Sequence, residues 1–135
     1  METVYDPLRR KEVAATPEER VRQWFISVLR DGDGVPAHMM MSEVGFKFGD
    51  KQFRADILAY GTDGKPLLIV ECKRPDVELD EKVVRQALRY DMVLSVKYIM
   101  ITNGTKTIAF ARKGERFEAL QSLPGWEAMK SGSIQ

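Results

Sequence analysis

Apolar residues recur with helical spacing at Val21, Phe25, Val28 and Leu29, which predicts an amphipathic helix. Its start is marked by Thr16-Pro17-Glu18-Glu19: a capping hydroxyl, a proline in the first turn, and acids that complement the helix dipole. Glu19 stands three residues after Thr16 and can close a capping box. The helix is expected to reach about Arg30, where Asp31-Gly32-Asp33-Gly34 and then Pro36 break it. Three strands follow, one within Met39 to Phe48, one from Gln52 to Tyr60 and one from Pro66 to Lys73. Turns at Gly49-Asp50-Lys51 and Gly61-Thr62-Asp63-Gly64 connect them, and such short connections make neighbouring strands antiparallel. Asp80 caps a second helix expected to run to about Ser95, with Val84, Leu88 and Leu94 on or near its buried side. Tyr98 to Thr102 is apolar on consecutive positions, as in a strand covered on both faces. Asn103-Gly104 then turns the chain into a further strand, Lys106 to Ala111. The strand–helix–strand unit from 66 to 102 should cross over right-handed and lay its two strands parallel. After Arg116 the pattern fades, and Leu123-Pro124-Gly125-Trp126 can pin a last short helix by its tryptophan.

This order predicts an α/β domain with a mixed central sheet flanked by helices. With 135 residues and neither repeat nor linker-like run, a single domain over 1–135 is expected. The longest apolar stretches fall short of a membrane span, and Met1 to Glu12 is mostly polar and charged, so a cytoplasmic location is the expectation. The single cysteine, Cys72, excludes an intramolecular disulfide framework, and the single histidine, His38, excludes a His/Cys zinc cage. The same scarcity argues against a Ser-His-Asp or Cys-His hydrolase. Any bound metal must therefore be held by oxygen ligands, which points to Mg²⁺, Mn²⁺ or Ca²⁺. Lysine and arginine number 21 against 20 acids, a balance that makes no overall electrostatic case for nucleic acid.

The chemistry concentrates in Leu67-Leu68-Ile69-Val70-Glu71-Cys72-Lys73, an apolar run that ends in two charges. Side-chain alternation puts Glu71 and Lys73 on one face of the strand and Cys72 on the other. A buried carboxylate needs a cation, and either Lys73 or a metal ion can supply it. If the turn centres near Thr62–Asp63–Gly64, the preceding strand brings Asp56 opposite Val70 or Glu71. In the second register Asp56 and Glu71 lie side by side, with about 5 Å between Cβ atoms. Two carboxylates that close repel unless a positive charge stands between them, and a hard divalent ion answers that need. Such a set can hydrolyse a phosphodiester: the ion activates water and polarises the phosphoryl oxygen, while Lys73 orients or deprotonates the water or stabilises the phosphate charge.

Asp56 followed on the next strand by Glu71-x-Lys73 resembles the PD-(D/E)XK nuclease superfamily. The wording around it includes Thr16 to Gln23, Arg54-Ala55-Asp56-Ile57, Ile69 to Pro75, Gln86-Ala87-Leu88-Arg89-Tyr90 and Ile101-Thr102-Asn103-Gly104. Together these resemble the N-terminal nuclease domain of type I restriction enzyme R (HsdR) subunits over roughly residues 9–112, leaving 113–135 as a C-terminal extension. The resemblance implies a restriction-endonuclease-like core (a helix, three antiparallel strands, a helix, a strand and an extra strand) and Mg²⁺-dependent DNA cleavage, with Mn²⁺ able to substitute. It implies Asp56 and Glu71 as metal ligands, the Cys72 backbone carbonyl as a further ligand and Lys73 as the catalytic lysine. Gln86, with Tyr90 one turn later, matches the glutamine–tyrosine motif of several branches. An acid on the first helix often joins the metal shell, and Glu18, on the Val21–Phe25 face, fits best. Ala55 stands where the motif usually has proline. No G-x-x-x-x-G-K-[ST] loop occurs in these residues, so the translocase of an R subunit is not among them. The expectation is a stand-alone relative, a degenerate copy or a fragment.

Lys82, Arg85 and Arg89 fall on one stripe beside Gln86, and either meet DNA phosphates or form an ordinary solvated helix face. The same two readings stand for Lys106, Arg112, Lys113 and Arg116. His38 before Met39-Met40-Met41 reads as a histidine at a strand start, Cys72 as a buried small hydrophobe, and Trp24 and Trp126 as packing anchors. The leading expectation is a metal-dependent DNA endonuclease domain whose partners are DNA, and either other restriction-system subunits or a second copy of the chain. Its alternative is a non-catalytic nucleic-acid-binding or assembly module that keeps the fold. A small-molecule phosphoesterase is a third reading, disfavoured by the lack of a phosphate-cradling glycine-rich loop.

Overall fold

The computed structural model describes residues 1–89 and 95–131. The chain opens with a two-stranded antiparallel hairpin, β1 (Thr3–Asp6) and β2 (Lys11–Ala14). Helix α1 (Pro17–Ser27) starts on Thr16, whose Oγ1 accepts the Glu19 N–H at 3.1 Å. A wide turn over Val28–Gly32 closes it, with the Asp33 N–H donating to the Val28 carbonyl. Six strands then form one sheet in chain order: β3 (Met40–Phe48), β4 (Lys51–Tyr60), β5 (Pro66–Cys72), β6 (Tyr98–Thr102), β7 (Thr107–Lys113) and β8 (Arg116–Ala119). Only β5 and β6 run parallel, because helix α2 (Glu81–Leu88) carries the chain between them; every other neighbouring pair is antiparallel. A last helix, α3 (Trp126–Ser131), follows the sheet.

Each face of the sheet has its own core. Val21, Phe25 and Ile26 of α1 and Leu29 of the turn that closes it pack on one face against Ile57, Leu68, Val70, Cys72 and Met100. Val83, Val84, Ala87 and Leu88 of α2 pack on the other against Ile69, Ile99 and Ile101. All five residues of β6 are buried, which is why that strand is apolar at every position rather than alternating. Each large side chain taken out of water here contributes roughly 1.5–3 kcal/mol.

The expected elements from α1 to β7 are present, with α2 capped by Asp80, whose carboxylate accepts the Val83 N–H at 2.9 Å. The expected reach of α2 to Ser95, including Tyr90 and Leu94, lies outside the described residues. Two elements went unforeseen: the β1–β2 hairpin and the edge strand β8. Both are built from four-residue strands, too short for a period of two to register. Trp126 anchors α3 in the α1-side core as expected, whereas Trp24 is 44% exposed, its ring tilted against that of Phe25 at 5.7 Å between centroids. Among the described residues no helix is long and apolar enough to cross a membrane.

Candidate functional site

The site forms where β4 and β5 part. Ile57 pairs with Val70, Leu58 with Ile69 and Ala59 with Leu68, which is the second of the two expected registers. The paired residues stop there, one step short of Asp56 and Glu71, which the same register carries to opposite positions. Asp56 Oδ2 instead accepts the N–H of Cys72 at 2.7 Å, so a side chain takes the amide that the ladder leaves over. Asp56 turns to α1, while Glu71 opens toward α2.

On the α2 side, Glu71, Lys73, Gln86 and Arg89 line one cavity of about 280 Å³, floored by Phe53, Val83 and Ala87. Lys73 Nζ stands 3.4 Å from Glu71 Oε2. The strand brings the first two residues there through alternation, and the capped helix presents Gln86 to them across the parallel crossover. Of the basic stripe on α2, only Arg89 reaches this cavity. Lys82 and Arg85 stay on the exposed side, and Arg85 is paired with Glu81 one turn earlier. In the second basic cluster, Arg112 donates to the Val96 carbonyl and lies 5.1 Å from the Phe117 ring centroid, and Lys113 pairs with Glu118.

On the α1 side, Asp56 meets a residue that sequence reasoning missed. Arg22 Nη2 donates to Asp56 Oδ1 and to Glu43 Oε1, each at 2.7 Å, and stands 3.4 Å from Glu18 Oε1. Its Nη1 donates to Glu19 Oε1. That same Glu19 oxygen accepts from Arg9, and Gln23 donates to the other, so the Glu19 carboxylate serves an ionic cluster rather than a capping box. Only the Glu19 N–H takes part in the cap. Burial alone would favour loss of the Arg22 proton, but the Asp56 hydrogen bond and the surrounding acids outweigh it and hold the group charged. Glu18 is pushed toward its neutral form: burial and the Asp56 charge raise its pKa against the pull of Arg22 and Lys73. Burial pushes the Cys72 thiol well up, which suits a packing role and no nucleophile. A signal for Arg22 was present. It lies four residues after Glu18 and three before Phe25, so a charge sits in the apolar stripe of α1.

In kind, the donors suit a hard divalent ion: carboxylates of Asp56, Glu71 and Glu18, and the Cys72 carbonyl. Extended backbone sends a residue's N–H and C=O to the same strand edge, so that carbonyl shares the Asp56 side. As arranged, the positive charge against Asp56 is Arg22, and among the described residues no three acid, histidine or cysteine groups are grouped to hold a metal ion.

Residues 17–124 match the family described as Type I restriction enzyme R protein N terminus. The chain belongs to that family. Among solved structures, a fragment of a putative HsdR subunit of a type I restriction enzyme from Vibrio vulnificus YJ016 superposes with a TM-score of 0.63 at 19% identity. The match covers 84% of this chain and 24% of that one, so the chain spans about a quarter of that structure's length, and the likeness is one of fold. No curated protein matches the sequence. Glu18, Asp56, Glu71, Lys73 and Gln86 all fall inside the stretch shared with the R-protein N-terminal family. The β1–β2 hairpin precedes it, although its Arg9 is bonded to the same Glu19 oxygen as Arg22.

Proposed function

We propose that this R-protein N-terminal domain is a PD-(D/E)XK-type nuclease with a restriction-endonuclease-like core, hydrolysing DNA phosphodiesters with Mg²⁺ or Mn²⁺. The observation that carries the reading is the convergence of Glu71, Lys73 and Gln86 on one cavity at the splayed end of β4 and β5, beside Asp56. Asp56, Glu71 and the Cys72 carbonyl, with Glu18 in reach of their charges, would hold the ion. When bound, it would supply a Lewis acid for the phosphoryl oxygen and an acidified water.

The chain's own residues supply the rest. Lys73, held near Glu71 at the cavity wall, orients the attacking water or takes its proton, and its charge favours the phosphorane-like oxygens. Gln86 offers an amide donor and acceptor to the same water or phosphate, and Arg89 a guanidinium to a neighbouring phosphate. The near-even charge makes affinity for bare DNA modest, so other restriction-system subunits or a second copy of the chain would deliver the substrate.

Plasmid cleavage with Mg²⁺ or Mn²⁺, with and without chelator, tests the assignment. Wild type is expected to cut, and Asp56→Asn and Lys73→Ala to lose about 10²-fold or more in rate. Equal cutting by all three would sink it. One observation favours a second reading, a non-catalytic nucleic-acid-binding or assembly module: both Asp56 oxygens already have protein partners. Silence of the wild type with its DNA retained in a binding assay would select that reading.

A further inference from the structure

We propose that Arg22 is a resident cation that competes with the divalent ion for Asp56, guarding the acid until an ion displaces its guanidinium. The inference rests on the metal-dependent reading above. Acids from three elements, Glu18 on α1, Glu43 on β3 and Asp56 on β4, face a single nitrogen, Arg22 Nη2, two of them at 2.7 Å and Glu18 at 3.4 Å. Three carboxylates thus share one guanidinium as their cation. The Arg22 side chain is 3% exposed, so solvent screens its charge little. A dication bound to Asp56 Oδ1 would stand within a few ångströms of that charge, and the two repel strongly in such surroundings. Occupancy by one therefore disfavours the other.

Two further features make the arrangement poised rather than inert. Arg22 Nε is buried and has no hydrogen-bond partner among the described residues, a cost that withdrawal from the cluster would relieve. Against that, Glu19 grips Nη1 and is itself gripped by Arg9, which also bonds Asp6 at the end of β1. The N-terminal hairpin, which lies before the family match, thus steadies the guard from behind. Arg22 is a positioning residue on this account, acting on Asp56 and on no substrate atom.

Calorimetric titration of Mn²⁺ into the full chain separates the possibilities, using wild type, Arg22→Met, Arg22→Lys and Asp56→Asn. Removal of the guanidinium is expected to tighten Mn²⁺ binding by about tenfold or more, an increase that a purely structural role for Arg22 would not produce. Arg22→Lys, whose single ammonium cannot bridge the acids, is expected to fall between, and Asp56→Asn to lose binding. If Arg22→Met binds no tighter than wild type while Asp56→Asn abolishes binding, the competition is wrong and the metal reading survives. If neither wild type nor Arg22→Met binds, the metal reading itself fails. Should Arg22→Met not fold, the wild-type Nε–H resonance of Arg22 decides in a Mg²⁺ titration. It is expected to shift along the binding isotherm, and a stationary resonance at saturation overturns the proposal.

Discussion

Asp6 shows how much one buried acid can do far from the proposed chemistry. It is fully buried at the end of β1 and accepts from the Ser42 hydroxyl at 2.6 Å, the Leu8 and Arg9 amides at 2.7 and 3.1 Å, and the Arg9 guanidinium. Burial raises its pKa, but these donors outweigh it and bring the value down from 3.8 to about 2. A depressed carboxylate contributes stability above its unfolded value and loses it as pH falls toward the folded one. Asp6 therefore adds about 2 kcal/mol at neutral pH, lost progressively between about pH 4 and pH 2. Asp6→Asn is expected to be destabilised by about that amount at pH 7 in urea unfolding, with the gap from wild type narrowing as pH approaches 2. Charge at Arg22 belongs to the same scale. Its four acidic neighbours make it a cation that nothing on a solvated face would require.

At the scale of elements, a turn and a helix cap hold the walls of the site. Asn103-Gly104 joins β6 to β7, and Gly104 adopts φ +89°, with room for a Cβ only 3.3 Å from Val21 Cγ2 of α1. Gly104→Ala is expected to cost about 1–3 kcal/mol, through backbone strain and through pressure on the α1 core, measured by the shift in urea midpoint. Asn103 explains why its own place is polar: Oδ1 accepts the Thr105 and Lys106 amides, and Nδ2 donates to the Val77 carbonyl at 2.9 Å. It thereby ties the turn to the loop that leaves Lys73. The second wall depends on α2, which spans only Glu81–Leu88 in the described residues and is fixed at its start by Asp80. Asp80→Ala is expected to cost about 1 kcal/mol in unfolding and to slow cleavage through a looser Gln86, whereas Asp80→Ser should restore both.

At the scale of the whole molecule, two groups of charges meet at one end of the sheet, close enough that Lys73 acts on Glu18. Arg22, Glu18, Glu19, Glu43 and Asp56 gather on the α1 side, and Glu71, Lys73, Gln86 and Arg89 on the α2 side. The parted ends of β4 and β5 are where the two sets meet, through Asp56 and the Cys72 amide. The N-terminal hairpin braces this junction through Asp6–Ser42 and Arg9–Glu19. Deleting residues 1–15 is expected to lower the thermal midpoint by roughly 5–10 °C, because Ser42 loses its partner and Glu19 loses one of its donors. An unchanged midpoint would show the hairpin to be peripheral.

Local signals were enough for most of the elements, because caps, turns and periodicity act between residues close in the chain. Thr16, Asp80, Asn103-Gly104 and the consecutive apolar run at 98–102 each announced their element. The same locality made Glu71-Cys72-Lys73 legible as charges closing a buried strand, and the wording around them resembled the family that the chain belongs to. What stayed hidden was the partner of Asp56. Pairing register is set by the turn, but the end of a ladder is set by competition for its last amide, and here a carboxylate wins it. Which cation then faces that carboxylate depends on how α1 lies across the sheet. Arg22 and Asp56 are far apart in the chain, and only packing of Phe25 and Leu29 against the β4–β5 face brings them within hydrogen-bond distance. Sequence could therefore single out Asp56 and Glu71 as candidate acids, and tertiary structure alone decided that Arg22 neutralises Asp56.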